Sequence, residues 1–198
     1  IDDLLRDFPF ETESDRTAAI AYPLTAICRD LIDGPTPLFR FEAPTPGTGK
    51  SLLCRALSEI ITPYPSEGTL PDSEEETKKF LTTKLMLSPA VIALDNVYDF
   101  KRSALIPLLT SDIWEDRILG GNKLVRIPVR NLWAATLNNP ILSREMFRRS
   151  VRVRLNAKLE NPEGRGGWRH DPLMGYIRSN RAMLVSAFWA VAKNGVGE

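Results

Sequence analysis

The chain has 198 residues, of which 43% are hydrophobic, and a formal net charge of +1 at neutral pH. This length and composition predict one globular domain of ordinary size, alone or with a small appendage. No apolar run approaches the roughly 20 residues that a membrane-spanning helix needs, and Cys28 and Cys54 are too few for a disulfide framework. These features argue against a membrane protein and a disulfide-rich secreted protein, and we expect a soluble protein of the reducing cytoplasm.

The charge is distributed unevenly along the chain. Residues 1–100 hold 9 Lys+Arg and 17 Asp+Glu, whereas residues 101–198 hold 17 and 8. Such an asymmetry is compatible with an electropositive face that meets phosphates, and with mutual attraction between the two ends of subunits in a ring. Scattered, solvated arginines are the alternative, and the composition leaves this choice open.

Hydrophobic periodicity divides the chain into alternating helices and strands. We predict helices over residues 12–33, 50–61, 73–87, 101–109, 142–147 and 172–193, and strands over 38–43, 90–94, 131–137 and 151–155. Residues 63–71 are turn-rich, and Gly120-Gly121-Asn122 gives residues 118–128 the turn chemistry of a β-hairpin. The alternation predicts an α/β fold with a central parallel sheet flanked by helices.

A phosphate-binding motif follows the first predicted strand. Residues 44–51 read Pro-Thr-Pro-Gly-Thr-Gly-Lys-Ser and match the G-x-x-x-x-G-K-S/T signature, except that Pro44 occupies the first glycine position. A proline fits there if that position has a negative φ and needs no N–H. A strand before the motif and a helix after it are the context in which this signature binds phosphates, so a plain Pro/Gly turn is the weaker interpretation.

The residue types in this loop suit a nucleoside triphosphate. Glycines let the backbone N–H groups surround an anion at a helix N-terminus, the lysine supplies a charge for the β and γ oxygens, and the serine hydroxyl can bind magnesium. We predict ATP binding by seven residues: Pro46, Gly47, Thr48, Gly49, Lys50, Ser51 and Leu52. The chain then divides into an N-terminal helical segment (1–36), a P-loop ATPase core (37–157) and a C-terminal helical segment (158–198).

A second carboxylate follows the next buried strand. Val91 to Leu94 is apolar and is followed by Asp95, the arrangement that places a magnesium-holding carboxylate beside a phosphate loop. Ser51 and Asp95 are therefore the predicted metal ligands, with Lys50 and Asp95 among the catalytic residues. By itself, an apolar run that ends in aspartate is more often a strand that meets a turn.

Position 96 lacks the acid that would polarise an attacking water. Asn96 is a poor base, so two alternatives stay open. Either a carboxylate from elsewhere serves, with Asp99, Glu75 and Glu76 as candidates, or Asn96 only orients the water and turnover is slow. The acidic run that contains Glu75 and Glu76 is also typical of an ordinary helix N-terminus.

The strand over residues 132–137 ends in a polar group. An amide at its end lies beside Asp95 if the two strands are neighbours, and it can bond both a γ-phosphate and a water. We choose Asn138 as the catalytic amide, with Thr136 and Asn139 as second choices. An Asn-Asn-Pro turn is the alternative.

Together, the phosphate loop, Asp95-Asn96 and the strand that ends at Asn138 resemble an AAA+ ATPase. The chain is more closely similar to the helicase domains of superfamily 3 and of the related poxvirus-type primase-helicases of mobile genetic elements. Residues 109–117, the hairpin and residues 133–139 carry that closer similarity, which extends over about residues 15–193. It implies ATP and Mg²⁺ as cofactors, and a ring, usually of six subunits, with ATP between neighbours and DNA threaded through the middle.

The resemblance also implies roles for basic residues. Arg148 and Arg149 follow the helix after the asparagine strand, where AAA+ proteins place the arginine finger that reaches the neighbour's γ-phosphate. The hairpin points into the pore in this family, so Lys123, with Arg126 and Arg117, is the predicted contact to single-stranded DNA, bound without sequence preference. A solvated basic surface and an ordinary hairpin tip are the respective alternatives.

The residues leave two main functions open. One is a DNA helicase or translocase motor that replicates a mobile element, with a primase fused to it or acting as its partner. The other is an ATP-dependent initiator or loader switch with weak or no unwinding. A protein-remodelling ring would need an aromatic pore loop, and the sequence shows no convincing aromatic-glycine pair after the predicted helix that follows Asp95. His170, the single histidine, fits a packing role better than catalysis.

Overall fold

The computed structural model describes residues 1–98, 104–117, 123–159 and 161–196. Seven α-helices lie within these ranges: α1 (Asp2–Leu5), α2 (Glu13–Ile27), α3 (Lys50–Ile61), α4 (Glu74–Met86), α5 (Leu105–Leu108), α6 (Arg144–Arg148) and α7 (Leu173–Val196). The strands there are β1 (Leu38–Ala43), β2 (Ser66–Gly68), β3 (Val91–Leu94), β4 (Ile113–Arg117), β5 (Leu124–Pro128), β6 (Leu132–Asn138) and β7 (Ser150–Arg154). Short 3-10 turns cover Arg29–Leu31 and Pro162–Gly164.

Five of the strands form one parallel sheet in the order β2-β3-β6-β1-β7. Ala43, the last residue of β1, is in register with Asn138, and Leu94 at the end of β3 pairs with Ala135. Because the carboxyl ends of parallel strands meet at one edge of a sheet, the loops after β1, β3 and β6 emerge side by side. The predicted central parallel sheet is confirmed.

Apolar side chains cover both faces of the sheet. On one face Phe39 and Phe41 pack against α2 and α3, and the Tyr22 ring meets both in edge-on contacts with centroids 5.1 and 5.4 Å away. On the other face α4, α5 and the hairpin pack over Trp133. Full burial of each such side chain stabilises the fold by about 1.5–3 kcal/mol.

Side-chain caps fix where three helices begin. Thr12, Ser73 and Ser143 precede α2, α4 and α6, and the hydroxyl oxygen of each accepts a hydrogen bond from an amide in the first turn. Helix α2 ends at Ile27 rather than at residue 33 as predicted, because the 3-10 turn Arg29–Leu31 takes over the chain there. The long helix α7 confirms the predicted C-terminal helix.

The structure corrects the prediction for the hairpin. Its first arm is Ile113–Arg117, paired antiparallel with Leu124–Pro128, whereas the sequence predicted a hairpin confined to residues 118–128. The turn predicted at Gly120-Gly121-Asn122 lies outside the described residues. The first arm was missed because its apolar residues are few: Trp114 alone is buried, Asp116 is partly buried, and the other three residues are exposed.

Two short elements carry no sequence signal. Strand β2 has three residues at the sheet edge and lies in the segment predicted only as turn-rich. Helix α1 spans one turn, and with it the N-terminal residues pack on the core through Leu4 and Leu5. None of the helices in the described ranges combines the length and the apolar character needed to cross a bilayer.

Candidate functional site

The phosphate loop connects β1 to α3. Within residues 44–51, Gly47 and Gly49 have left-handed backbones, with φ of 73° and 99°. A side chain at either position would be strained, which is the reason for glycine at both. Pro44 is outside the left-handed region, as its replacement of a glycine requires.

The loop presents a bare helix N-terminus. Gly49 is the residue before α3 and has no side chain with which to cap it. The first four amides of an α-helix lack intrahelical partners, so these N–H groups are available to an anion. The Thr48 side chain is buried and its hydroxyl donates to the Thr45 carbonyl oxygen at 2.8 Å, which holds the loop closed.

Ser51 and Asp95 meet at the edge of the sheet. The Ser51 hydroxyl donates to Asp95 Oδ1 at 3.2 Å, and the Thr136 hydroxyl donates to the same oxygen at 2.6 Å. Burial lowers the pKa of Lys50, and the nearby negative charge of Asp95 opposes that shift. The structure thus brings the predicted lysine, hydroxyl and carboxylate into one site.

This donor set fits magnesium better than a metal held by protein alone. The described residues contain no cluster of three or more His, Cys, Asp or Glu side chains that could hold a metal ion. Mg²⁺ in nucleotide sites takes one or two protein oxygens and completes its octahedron with phosphates and water. Ser51 Oγ and Asp95 are the residues that would supply those oxygens.

Two asparagines lie beside this carboxylate. Asn96 has a left-handed backbone (φ 51°), and its Nδ2 donates to Tyr98 Oη at 2.7 Å. Asn138 Nδ2 lies 3.5 Å from Asn96 Oδ1, a long contact, while Asn138 Oδ1 is buried without a hydrogen-bond partner among the described residues. A buried amide oxygen without a partner is costly, which suits a group that completes its bonding with a ligand or water.

The candidate carboxylates for activating water lie at different places. Glu75 and Glu76 both pair with Lys79 on the exposed start of α4, and Asp99 lies outside the described residues. Two acids that the sequence analysis passed over line cavities with Asp95. Glu67 borders a cavity of 280 Å³ with Ser51, and Asp72 borders one of 340 Å³ with Asn96.

A further cavity of 240 Å³ adjoins the phosphate loop at Gly47 and Gly49. Its walls come from three distant parts of the chain: the N-terminal residues, the start of α3, and the loop before α7. Its apolar lining is Leu4, Phe8, Leu52, Pro162, Trp168 and Leu173. Of these, only Leu52 was predicted. The sequence feature that could have indicated this cavity was Trp168 and His170, close together in a loop rich in glycine.

Polar contacts hold this cavity together. Asp3 Oδ1 and Oδ2 accept from Arg169 Nε and His170 Nε2 at 2.9 Å each, and these bonds, His170 first, lower the pKa of Asp3. The His170 ring stacks on Tyr176 with a centroid separation of 3.6 Å. The histidine thus packs and bonds in the wall of the cavity, as its sequence context predicts.

The two arginines at the C-terminal end of α6 differ in their contacts. Arg148 is exposed and forms no ion pair with any described residue, whereas Arg149 Nη2 binds Glu145 Oε1 at 3.3 Å. Arg149 Nε is also buried with no partner among the described residues. Together with Arg144 they line an open groove of 580 Å³.

The three basic residues of the hairpin are likewise not equivalent. Arg117 and Lys123 are exposed and flank the tip. Arg126 pairs with Glu115 on the opposite arm, with Nε and Oε1 2.6 Å apart. The two residues near the tip are therefore more available to a nucleic acid than Arg126.

Comparison with known proteins shows a similarity of fold. No protein-family model matches the chain, and no curated protein does. An X-ray structure of the JCV helicase matches with a TM-score of 0.50 at 12% identity, over 91% of this chain and 53% of that one. This chain has a P-loop NTPase fold. A second structure of the JCV helicase, bound to a small molecule, matches at 13% identity with a TM-score of 0.44, over 89% and 51% of the two chains.

The comparison also limits what is shared. The chain spans about half the length of these helicase chains. The similarity is one of fold, and it does not support the poxvirus-type relationship specifically. At such low identity the fold alone is comparable, so the roles of individual residues must be argued from this chain's own geometry.

Proposed function

We propose that this chain is the ATPase motor domain of a DNA helicase or translocase that serves the replication of a mobile genetic element. The observation that carries the proposal is the convergence of the Ser51 hydroxyl and the Asp95 carboxylate beside a glycine loop that opens a helix. The helicase-like fold supports it as well. Both cysteines are free thiols, compatible with a reducing cytoplasm.

Each part of a triphosphate has a place in this site. The amides of residues 47–49 and the Lys50 ammonium group hold the phosphates. Ser51 and Asp95 would hold Mg²⁺, which would neutralise phosphate charge when bound. Asn138 lies next to Asn96 and contacts the γ-phosphate or the attacking water. Catalysis of this kind is mainly positioning and electrostatic stabilisation.

The cavity next to Gly47 and Gly49 accommodates the nucleoside. It lies against the same glycines, is lined mainly by apolar groups, and contains the aromatic side chains of Phe8 and Trp168. Apolar and aromatic walls with a few polar groups are the usual composition of a pocket for a planar base. The N-terminal segment and the loop before α7 therefore belong to the nucleotide site.

Oligomerisation completes the motor. We infer a homo-oligomeric ring, hexameric in the family that the sequence resembles, in which Arg148 reaches the nucleotide of a neighbour and Arg149 supports it. Single-stranded DNA passes the hairpin and meets Lys123 and Arg117 through its phosphates, and Arg126 more weakly. A primase activity, fused or in a partner, fits this role.

One observation favours the second candidate, an ATP-dependent initiator or loader switch. Asn96 stands where an acid would activate water, and its amide is already bonded to Tyr98. A site that binds ATP tightly and hydrolyses it slowly changes conformation without sustained movement along DNA. Stimulation of ATP hydrolysis by single-stranded DNA distinguishes the motor from the switch.

The central experiment is the Lys50→Ala variant. We expect it to abolish ATP binding, measured by calorimetry, and ATP hydrolysis, because the charge that faces the phosphates is lost. Lys193→Ala, at the exposed end of α7, is the control and should bind ATP like the wild type. Unchanged binding and turnover in Lys50→Ala would refute the proposed ATP site.

A further inference from the structure

The central strand β1 contains a buried ion pair. All six residues of β1 are buried, and Arg40 and Glu42 are each 3% exposed. Arg40 Nη1 binds Glu42 Oε1 inside the sheet. Burial, together with the charge of Arg152, lowers the pKa of Arg40 to about 10. Replacement of a buried ion pair by apolar residues of similar volume often leaves a protein equally stable or more stable. The Arg40–Glu42 pair is therefore weak evidence for a role in stability, and its contacts indicate another role.

On one side the pair reaches the phosphate loop. Arg154 Nη1 lies 3.6 Å from Glu42 Oε2, and Arg154 Nη2 donates to Asn139 Oδ1 at 3.4 Å. Asn139 Nδ2 in turn donates to the Pro44 carbonyl oxygen at 3.1 Å. Pro44 begins the phosphate loop, so the chain of contacts ends at the nucleotide site.

On the other side the pair reaches α6. Arg40 Nε donates to Ser150 Oγ at 2.8 Å, and the Ser150 hydroxyl donates to the Met146 carbonyl oxygen at 2.6 Å. Met146 is fully buried and anchors α6 in the core. Arg148 and Arg149 follow it by two and three residues; Arg148 is exposed and Arg149 is half-buried.

We propose that Arg40 and Glu42 are positioning residues that connect the state of the phosphate loop to α6, and thereby set where Arg148 and Arg149 lie at the edge of the subunit. The inference rests on the proposed function, because it requires that the loop bind a nucleotide. When a triphosphate enters, the Pro44–Asn139 contact shifts with the loop. The shift is passed along Arg154, Glu42 and Arg40 because each link is a hydrogen bond or an ion pair. The links at Asn139 are exposed, and the Arg40–Glu42 link is buried.

Hydrogen exchange measures this connection directly. The wild-type chain is compared with and without a non-hydrolysable ATP analogue, with Mg²⁺ present, while the amides of residues 144–150 are followed. We expect the analogue to change their exchange by about two- to tenfold, the equilibrium effect of one hydrogen bond. In the double variant Arg40→Met/Glu42→Leu the analogue should still bind, and the exchange of residues 144–150 should no longer respond to it.

Two further variants make the result decisive. Ser150→Ala removes the hydroxyl between Arg40 and the Met146 carbonyl oxygen and leaves the Arg40–Glu42 ion pair in place. It should also abolish the change in exchange at residues 144–150. This variant tests the proposal if the double variant does not fold. Arg130→Gln removes an exposed arginine that pairs with Asp30, outside the chain of contacts, and should respond like the wild type.

The outcomes separate the two proposals. Two results would overturn the proposed connection and leave the proposed function intact. In one, the analogue binds and the exchange of residues 144–150 changes equally in the wild type and in Ser150→Ala. In the other, the analogue binds and this exchange does not change in the wild type. No binding of the analogue to the wild type by calorimetry would overturn the proposed function and this inference with it.

Discussion

The Ser51 hydroxyl lies 3.2 Å from Asp95 Oδ1, although 44 positions separate the two residues in the chain. The hydroxyl stands at the first turn of α3 and the carboxylate directly after β3. Thr136, from the strand between β1 and β3, holds the same carboxylate oxygen at 2.6 Å. Three neighbouring strands thus contribute to one site.

Asn96→Asp should increase ATP hydrolysis. The change is nearly isosteric, and both residues tolerate the left-handed backbone at this position. A general base contributes typically about 10²–10⁴-fold, so we expect kcat to rise by at least about tenfold with KM little changed. Steady-state ATPase kinetics measure this. An unchanged kcat would mean that a base is already present, and Glu67→Gln compared with Asp72→Asn would then identify it.

Arg148→Ala should reduce kcat far more than Arg149→Ala. Arg148 is exposed and has no ion-pair partner among the described residues, whereas Arg149 is held by Glu145 within its own subunit. An arginine finger supplied by a neighbour contributes about 10³–10⁵-fold, and because it acts in the transition state, ATP affinity should stay close to that of the wild type. Arg144→Ala, in the same groove, is the control. Equal losses in all three variants would indicate a general electrostatic effect instead.

Trp168→Ala should weaken ATP binding and leave the binding of inorganic tripolyphosphate unchanged. Trp168 lines the cavity beside the phosphate loop, where it would meet the base and not the phosphates. Stacking of a base on an aromatic side chain contributes about 1–3 kcal/mol, so the Kd for ATP should rise about 5- to 150-fold. Trp189→Ala, which removes an exposed tryptophan on α7 away from this cavity, is the matched control. If Trp168→Ala weakened the binding of ATP and of tripolyphosphate equally, the substitution would be acting on the phosphate loop and not on the base.

Lys123→Ala and Arg117→Ala should each weaken binding of single-stranded DNA more than Arg126→Ala does. The first two side chains are exposed near the hairpin tip, and Arg126 is neutralised by Glu115. Each lost phosphate contact should lower the slope of log K against log salt by about 0.7. Fluorescence anisotropy at several salt concentrations measures both quantities. A larger effect at Arg126 than at the tip would contradict the assignment.

Glu59→Gln should destabilise the fold at pH 7, and the loss should shrink at a pH low enough to protonate Glu59 in the folded protein. Hydrogen bonds from Arg178 at 2.9 and 3.0 Å are the main cause that lowers the pKa of Glu59 below its usual 4.5, with burial opposing and Arg55 assisting. A carboxyl group whose pKa is depressed by folding stabilises the native state above its unfolded pKa, and the contribution is lost as the pH falls through the folded pKa.

Urea unfolding at the two pH values measures that difference. We expect a loss of about 1.5–3 kcal/mol at pH 7, the contribution of hydrogen bonds to a charged group. Glu75→Gln changes an exposed carboxylate of α4 and serves as the control. The same loss for Glu59→Gln at both pH values would mean that packing, not charge, is responsible.

Sequence alone determined those features that depend on neighbouring residues. A buried strand, two glycines at fixed spacing and a helix start are local requirements, so the loop at residues 44–51 and the carboxylate at Asp95 could be predicted. Periodicity likewise gave the order of strands and helices along most of the chain. Where apolar residues were few, as in Ile113–Arg117, the local pattern was too weak to show the strand.

Tertiary structure decided what depends on contacts between distant residues. Packing alone brings Leu4, Leu52 and Trp168 into one cavity and buries Arg40 with Glu42. It also pairs Arg149 with Glu145, while Arg148 has no ion-pair partner in the part of the chain that the structure describes. No local pattern encodes these relationships, because each depends on which faces of the helices and strands meet after the sheet has formed. The backbone conformation of a loop or helix start depends on residues close in the sequence. The contacts of a side chain depend on which distant residues the fold brings next to it.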